Sequence, residues 1–252
     1  MNITERESLE LSVIMPCLNE ENTVGLCVDE AQEYMRKYQI QGEVIVVDNG
    51  SWDESAGIAT KHGARVIAEA GKGYGRAIRT GIAASRGKVL IIADCDTTYD
   101  FLYMEAIYKP LDEGICDMVI GNRYAGGIGQ GAMPISHKLG VRFLSWCGRL
   151  RFHTDIYDFH CGLRGLTRKA AEQLTFHRNG MEFATEMIAE GVRHNLRLIQ
   201  VPVTLRRCER ERKSKLRTIP DGFRHLMYII KKNEILLERC RRINNGRLGC
   251  CG

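Results

Sequence analysis

Segments typical of strands and of helices alternate along the first half of this chain of 252 residues, and this alternation constrains the fold more than any other feature. Apolar runs predict strands at Leu11–Met15, Glu43–Val47, Ala64–Ala68, Val89–Ala93 and Asp117–Gly121. The segments between them predict helices at Thr23–Tyr38, Asp53–His62, Tyr74–Ser85 and Leu102–Asp112. This order predicts an α/β fold with a mostly parallel central sheet flanked by helices.

The second half of the chain is less regular but contains the same kinds of segment. It predicts a Pro-started amphipathic helix within Gly131–Leu150, a loop, short strand and helix over Asp158–Leu174, a helix at Phe183–Asn195, and a strand at Leu196–Leu205 that joins the sheet. We therefore predict three regions: an N-terminal tail (1–9), an α/β domain (10–205) and a basic, amphipathic C-terminal extension (206–252).

Polar residues follow the predicted strands. In open parallel sheets, ligands bind beyond the carboxyl ends of the strands. Four of the five loops at these ends carry acidic, amide or basic groups, and the five are Pro16–Asn22, Asp48–Ser55, Gly71–Gly75, Asp94–Asp96 and Asn122–Gly127. A hydrophobic core does not require such groups, so this edge of the sheet is the candidate ligand-binding site.

The most specific of these groups is the pair Asp94 and Asp96, directly after the fourth strand. In an extended chain, residues i and i+2 point to the same side, about 6.5 Å apart. Two carboxylates placed so repel each other unless a cation lies near them, and Mg²⁺ is typically held by one or two carboxylates plus substrate phosphates. The pair predicts a metal and diphosphate site, and the alternative is an Asp-rich turn that caps the next helix.

Two further loops carry candidate ligand contacts. Asp48 ends the second strand too early to cap the next helix, so we expect it to contact a ribose hydroxyl or a base N–H, whereas Asp53 is expected to cap that helix. Gly71, Gly73 and Gly75 lack the spacing and position of a dinucleotide-binding fingerprint. We expect them to let the backbone approach a ligand, with Lys72 beside phosphate.

Charge and cysteine content narrow the function classes. The net charge is +5, and residues 204–252 carry 14 Lys and Arg against 5 Asp and Glu, so the tail is +9 and the rest is −4. A basic tail favours phosphate groups or an anionic membrane surface as partners. Nucleic acid is not expected, because no aromatic stacking platform lies nearby. The ten cysteines have no zinc spacing and predict reduced thiols of a cytosolic protein.

The chain begins with a polar, acidic segment and has no run approaching the roughly 18 to 20 apolar residues of a spanning helix. We therefore expect a cytoplasmic protein that is soluble or peripheral on the cytoplasmic face of a membrane. The pair His160 and Cys161 is interpreted as part of a packed loop that shapes the site rather than as a metal or nucleophile pair.

Taken together, the segments IMPCLNEENT, VIVVDNGSWDES, GKGYGRAIRTGIAASRGKVLIIADCDTTYD and IGNRYAGG resemble the family 2 glycosyltransferases. These are inverting enzymes with a GT-A fold. The later segments GAMP, DFHCGLRG, GMEFATEM and KLRTIPDGFRHL are similar to a bacterial branch akin to dolichyl-phosphate mannose and glucose synthases. The resemblance implies hexose transfer from a nucleotide sugar, UDP-glucose or GDP-mannose, to a polyprenyl phosphate.

The resemblance also implies roles for individual residues. The nucleotide-sugar site would comprise Pro16, Leu18, Glu20, Asp48, Lys72, Asp94, Cys95, Arg123, Arg212 and Lys215. Asp96, and beside it Asp94, would hold Mg²⁺ or Mn²⁺. The catalytic groups near the sugar and the acceptor would be Asp96, Asp158, Arg164 and Glu186.

Two departures from the family pattern leave alternatives open. Asn49 stands where the family commonly has a second aspartate, and after residue 226 the chain continues into a charged segment instead of membrane-spanning helices. The alternatives are transfer to a soluble or polymeric sugar acceptor, where Asp158 or Glu186 would have to take a proton, and a non-catalytic nucleotide-sugar-binding relative. Peripheral membrane binding through residues 220–242 is a further expectation.

Overall fold

The computed structural model describes residues 9–208 and 218–231. Its strands are β1 (Leu11–Cys17), β2 (Gly42–Asp48), β3 (Arg65–Ala68), β4 (Val89–Ile92), β5 (Met118–Asn122), β6 (Arg164–Thr167) and β7 (Leu198–Pro202). Its helices are α1 (Val24–Lys37), α2 (Ser55–Lys61), α3 (Tyr74–Ala84), α4 (Glu105–Asp112), α5 (Arg123–Gly126), α6 (Ile135–Phe152), α7 (Arg168–Gln173), α8 (Phe183–Arg193) and α9 (Thr218–Lys231). A single 3-10 turn, Phe101–Tyr103, precedes α4.

The seven strands form one sheet in the order β3-β2-β1-β4-β6-β5-β7. Strands β1 to β4 are mutually parallel, and β5 pairs with β7 in parallel. Strand β6 lies between β4 and β5 and is antiparallel to both, so every other strand of the sheet points the same way. The predicted α/β fold with a mostly parallel sheet is therefore confirmed. The reversed direction of β6 was not predicted.

The apolar strands form elements buried on both faces, because helices cover the sheet on each side. All four residues of β4 and all five of β5 are buried. In register, Cys17 at the end of β1 pairs with Asp48 at the end of β2. The parallel strands therefore end together, and their carboxyl edge collects the polar loops.

Several element boundaries differ from the prediction for local reasons. Helix α2 begins at Ser55, and its N-cap residue is Glu54 rather than the predicted Asp53, whose carboxylate accepts the backbone N–H of Ser55 at 3.1 Å. The Asp100 carboxylate likewise accepts the N–H of Leu102 at 3.1 Å, so a 3-10 turn precedes α4. Of the predicted tail regions, residues 1–8, 209–217 and 232–252 lie outside the described residues.

Helix α6 follows Pro134, as expected for a proline-started helix, and α9 packs against α6 and α8. No helix within the described residues has the length and apolar content needed to cross a bilayer.

Candidate active site

The loops that follow β1 and β2 are bound to each other at the carboxyl edge of the sheet. Asn19, in the left-handed region with φ 51°, donates its backbone N–H to Ser51 Oγ at 2.9 Å and accepts the Trp52 N–H at 2.9 Å. The backbone N–H of Glu20 donates to Ser55 Oγ at 2.7 Å. These contacts hold Leu18, Glu20 and Asp48, three of the residues predicted at the nucleoside, in one rigid wall.

Asp48 lies half-buried at the end of β2, and its Oδ1 accepts the N–H of Ser51 at 3.0 Å. Pro16, Leu18 and Glu20 belong to the neighbouring strand and loop, where Leu18 is 36% exposed and Glu20 is buried. A partly exposed carboxylate beside an exposed apolar side chain suits a flat, hydrogen-bonding ligand. The structure thus brings together the residues predicted for the nucleoside.

Asn49 fastens the next loop to this wall. Its side-chain amide donates to the backbone oxygens of Glu69, at 3.1 Å, and Gly71, at 2.7 Å, and its Oδ1 accepts the N–H of Gly73 at 2.8 Å. An aspartate has no N–H with which to make the first two bonds. Asn49, where this chain departs from the family pattern, therefore holds the next loop in place, a role that the sequence alone did not reveal.

Lys72 lies exposed at the tip of the loop that Asn49 fastens. A Cβ on Gly73, whose φ is 139°, would collide with the backbone oxygen of Asn179, so only glycine fits there. Hydrogen bonds from Thr80, the Gly71 N–H and Arg76 lower the pKa of Glu69 to about 2. The loop is thus held at several points while its lysine stays accessible.

Asp94 and Asp96 follow the last residue of β4 within a bent segment rather than a continued strand. Both are half-buried, whereas Cys95 between them is 1% exposed and donates its thiol to Pro16 O at 3.3 Å. The alternation of burial places the two aspartates on the side away from the core. The Cys95 side chain itself belongs to the core, and its predicted place at the nucleotide sugar stays a prediction.

Asp94 and Asp96 each accept a hydrogen bond from a neighbouring hydroxyl group. Burial and the charge of Asp94 raise the pKa of Tyr74 well above its ordinary value, so Tyr74 remains protonated and donates its hydroxyl to Asp94. A Cβ on Gly162 would collide with the Asp94 carboxylate. The Asp96 carboxylate accepts both the N–H, at 3.2 Å, and the hydroxyl of Thr98.

Thr97, next to Asp96, has φ 62°, a strained conformation for a β-branched residue. Such strain is common at ligand sites.

Arg123 and Asp158 form a buried ion pair on the other side of the edge. The Asp158 carboxylate accepts the Arg123 backbone N–H at 3.1 Å and its Nε and Nη2 at 2.7 Å each, and Asp158 is 0% exposed. The predicted places of Arg123 at the phosphate and of Asp158 near the sugar and the acceptor stay predictions. Each charge compensates the other, as a desolvated charge requires.

Arg164 and Glu186 are also buried and bound to the backbone. The Arg164 guanidinium donates to the backbone oxygens of Cys161, Ala184, at 2.9 Å, and Phe159, at 3.3 Å. Glu186 accepts the backbone N–H groups of His177, at 3.1 and 3.2 Å, and Arg178, at 2.9 Å. Both side chains therefore position loops in this structure, and their predicted place near the sugar and the acceptor stays a prediction. Arg212 and Lys215 lie outside the described residues.

His160 and Cys161 do not act as a reactive pair in this structure. Burial raises the pKa of the Cys161 thiol to about 11, so the thiol is protonated at neutral pH. Both ring nitrogens of His160 are buried without a hydrogen-bond partner among the described residues, and the ring packs edge-on against His225, with centroids 4.4 Å apart. Thr185 Oγ1 lies 2.8 Å from His225 Nδ1.

Sequence reasoning missed several residues of this edge, namely Tyr74, Tyr99, Gly162, Glu182 and the tether Asn49. Tyr99 accepts the N–H of Gly162 at 2.9 Å, and Glu182, which precedes α8, has a buried Oε2 without a hydrogen-bond partner. The only sequence signal for them was their place within motifs already singled out. Across the described ranges, no three His, Cys, Asp or Glu side chains are grouped so as to hold a metal.

The domain thus has a mostly parallel α/β sheet, and polar loops and a pair of carboxylates lie at one edge of that sheet. The sequence pattern described as glycosyl transferase family 2 matches residues 12–175, more than half of the chain. The chain belongs to glycosyl transferase family 2.

Its relatives include the Low-salt glycan biosynthesis hexosyltransferase Agl6 of Haloferax volcanii, 36% identical over 87% of this chain and 53% of the relative. The chain therefore spans about half the length of that relative. It is also 27% identical to the Dolichyl-phosphate hexose transferase of the same organism, over 87% of this chain and 92% of the relative. The Dolichyl-phosphate beta-glucosyltransferase of Homo sapiens is 30% identical, over 74% of this chain and 64% of the relative.

Solved structures agree on the fold. Glucosyl-3-phosphoglycerate synthase from Mycobacterium tuberculosis superposes with a TM-score of 0.72 at 21% identity, covering 88% of this chain and 80% of that one. Its complex with Mn²⁺, UDP and glucosyl-3-phosphoglycerate gives a TM-score of 0.70 at 22% identity, with the same coverage. At this identity the likeness shows the fold alone.

Proposed function

We propose that this chain is an inverting, metal-dependent hexosyltransferase that moves a hexose from a nucleotide sugar to a polyprenyl phosphate. The observation that carries the choice of acceptor is the state of Asp158 and Glu186. Asp158 is bound by Arg123 and Glu186 by two backbone N–H groups, so neither carboxylate is placed to take a proton. A sugar hydroxyl needs such a base, whereas a phosphate is already ionised at neutral pH.

On the donor side, we propose that the wall formed by Pro16, Leu18, Glu20 and Asp48 receives the nucleoside, with Asp48 on the base. The hydrogen bonds between the loops after β1 and β2 support this, because they give the pocket a fixed shape before any ligand binds. Lys72 is proposed to face the diphosphate. Arg212 and Lys215 remain predicted to close over the donor diphosphate or the acceptor phosphate.

Asp94 and Asp96 are proposed to hold Mg²⁺ or Mn²⁺. The residues fit this use, because two half-buried carboxylates share the edge and the missing side chain of Gly162 leaves room for the Asp94 carboxylate itself. Two carboxylates leave the remaining ligands to the diphosphate oxygens, as is usual for Mg²⁺. When bound, the cation supplies positive charge against the leaving diphosphate.

The reaction in this proposal is a single displacement. An oxygen of the acceptor phosphate bonds to the anomeric carbon while the bond from that carbon to the donor diphosphate breaks on the opposite face. No proton has to leave the acceptor, and the nucleoside diphosphate departs with the electron pair of the broken bond. The protein contributes position and positive charge, as expected for a transfer with a charged leaving group.

The names of the relatives support the acceptor class, since two of them are dolichyl-phosphate transferases. UDP and Mn²⁺ in the complex of the mycobacterial synthase support the donor and the metal. The hexose and the nucleotide base are left to experiment.

Calorimetry tests the donor site first. UDP-glucose and GDP-mannose are titrated into the protein with Mn²⁺, with EDTA, and into Asp96→Ala. We expect one donor to bind only with the metal and its affinity to fall by about 100-fold in Asp96→Ala, because the metal that attracts the diphosphate loses a carboxylate ligand. Binding of neither donor under any condition would refute the proposed donor site and, with it, the nucleotide-sugar-binding alternative.

Transfer assays then separate the acceptor classes. A nucleotide sugar with a radiolabelled hexose is offered together with either a polyprenyl phosphate or soluble sugars as acceptor. The proteins compared are the wild type, Glu182→Gln and the matched amide change Glu21→Gln. Glu182 is tested because its buried Oε2 has no hydrogen-bond partner among the described residues, which makes it a further candidate for a base. We expect product on the lipid and less than a tenfold loss in Glu182→Gln, whereas a general base contributes about 10²- to 10⁴-fold. Transfer only to a sugar hydroxyl, abolished in Glu182→Gln, refutes the lipid acceptor.

A further inference from the structure

Helix α6 is apolar on two opposite faces. One face packs on the core through residues that include Val141, Leu144 and Phe152. The other face, which we call the α6 face, exposes five large apolar side chains by 50 to 76%. These are Ile135, Leu139, Phe143, Trp146 and Leu150. At about 100° per residue, these five lie within an arc of about 80°, and no polar residue of the helix falls inside that arc. A helix at a protein–water boundary carries polar residues there instead.

Basic residues border the α6 face along one side. The helix contains four Lys and Arg and no Asp or Glu. Three of the four, Lys138, Arg142 and Arg149, lie in an arc of about 40° directly beside the apolar stripe. Arg142 is exposed. An apolar stripe with a cationic border and a tryptophan is complementary to an anionic lipid headgroup layer above an apolar interior.

The neighbouring helix α9 also exposes apolar and basic side chains. It packs against α6 and exposes Phe223 by 63% and Ile230 by 56%, together with Arg224 and Lys231. Among the described residues, fourteen large apolar side chains are exposed, and seven of them lie on these two helices. Single exposed apolar residues are ordinary, but a contiguous cluster marks a binding surface.

We propose that the α6 face docks on a lipid bilayer that contains anionic headgroups. A second copy of the chain is a poorer occupant. The stripe is about 22 Å long and about 10 Å wide, or about 220 Å², and a stable protein interface buries about 800 Å² per partner. Two copies would also bring the basic borders of the two helices together, and like charges repel.

The same helix supports the acceptor side of the candidate site. On its core side, Ser145 Oγ accepts the backbone N–H of Phe159 at 3.2 Å, next to Asp158. Near its start, the backbone oxygen of Lys138 accepts the hydroxyl of Tyr124, next to Arg123, at 3.1 Å. A bilayer that binds the α6 face therefore lies one helix diameter, about 10 Å, from the Arg123–Asp158 pair.

The test uses a fluorescent reporter that the chain already contains. The sequence has two tryptophans, Trp52 and Trp146, so Trp52→Phe leaves Trp146 alone to report on the α6 face. The full chain is mixed with phosphatidylcholine vesicles, with or without phosphatidylglycerol. We expect a blue shift of Trp146 and quenching by brominated lipid tails, both stronger with the anionic lipid. The assay contains no sugar donor and no acceptor, so its result is independent of the proposed transfer reaction.

Two double variants give the matched comparison in vesicle sedimentation. Leu139→Asp with Phe143→Asp removes apolar contacts from the α6 face, and Tyr103→Asp with Ile115→Asp places the same charges at exposed apolar positions elsewhere. We expect the first to bind anionic vesicles at least about tenfold more weakly than the wild type and the second to bind within about twofold, because buried apolar area drives interfacial binding.

Three results would overturn the proposal. The first is no vesicle binding and no shift of Trp146 in the full chain. The second is an equal loss of binding in both double variants, which would make the loss a general effect of charge. The third is a wild-type dimer that Leu139→Asp with Phe143→Asp converts to a monomer while vesicle binding is unchanged, which would assign the face to a second copy.

Discussion

The Arg123–Asp158 pair offers a direct test of whether the buried charges of this edge are structural. The two groups are 6% and 0% exposed and share two side-chain contacts of 2.7 Å. Removal of one member leaves an uncompensated buried charge, which costs about 3–5 kcal/mol. We therefore expect Arg123→Met and Asp158→Asn each to lower the free energy of unfolding by about that amount.

The double variant sharpens the test. Arg123→Met together with Asp158→Asn leaves no unpaired charge, and the asparagine oxygen can still accept the backbone N–H of residue 123, a contact of 3.1 Å in the wild type. We expect the double variant to lose only about 1–2 kcal/mol, so that the coupling between the two positions is about 4 kcal/mol or more.

Urea unfolding at low temperature measures these differences, because a domain has only about 5–15 kcal/mol of stability in total. The urea midpoint and the slope are both compared, since a changed slope signals a changed folded or unfolded state. Single variants that each cost less than about 1 kcal/mol, or effects that simply add, would refute the reasoning and return Asp158 to the list of candidate bases.

Three other changes test separate features. Asn49→Asp should lower the free energy of unfolding by about 2–4 kcal/mol and weaken donor binding, because two hydrogen bonds donated by the Asn49 amide are lost. Urea unfolding measures the first effect and calorimetry the second. Wild-type values in both would contradict the role of Asn49 in fastening the loop. Gly162→Ala should weaken metal-dependent donor binding about tenfold, because its Cβ collides with Asp94, whereas Gly140→Ala, with open space around it, should leave binding unchanged. Burial lowers the pKa of His225 from 6.5 to about 4. Between these pH values the unfolded chain therefore binds more protons than the folded chain does. The free energy of unfolding falls by about 3 kcal/mol as the pH drops through that window. His225→Gln should flatten that slope in urea unfolding at several pH values, and an unchanged slope would exclude His225 as its source.

Much of the architecture was predictable from local pattern. The runs at β1, β2 and β4 are apolar because each strand is covered on both faces, so their composition alone marks them as strands of a parallel sheet. Since parallel strands end at one edge, the sequence also located the loops of the candidate site. The direction of β6 was not predictable, because a run of four residues pairs equally well in either direction until its neighbours are known.

The residues of the candidate site divide in the same way, into those that local sequence places and those that distant contacts place. Residues next to strand ends, such as Asp48 and Asp96, lie at the predicted edge because backbone geometry places them there. Their roles as ligands of a donor and a metal remain predictions. The partners of Asn49 are 20 to 24 residues away and the partner of Asp158 is 35 residues away, so no local pattern records them.

Local chemistry along the chain thus specified which segments pair, which edge is polar and which family the chain belongs to. Folding in three dimensions specified which charges face that edge and which face each other. The physical reason is desolvation: a charge such as Asp158 that packing removes from water must find a partner inside the protein. Whether a given carboxylate meets a guanidinium or stays half-buried at the edge, as Asp94 does, depends on contacts between segments far apart in sequence.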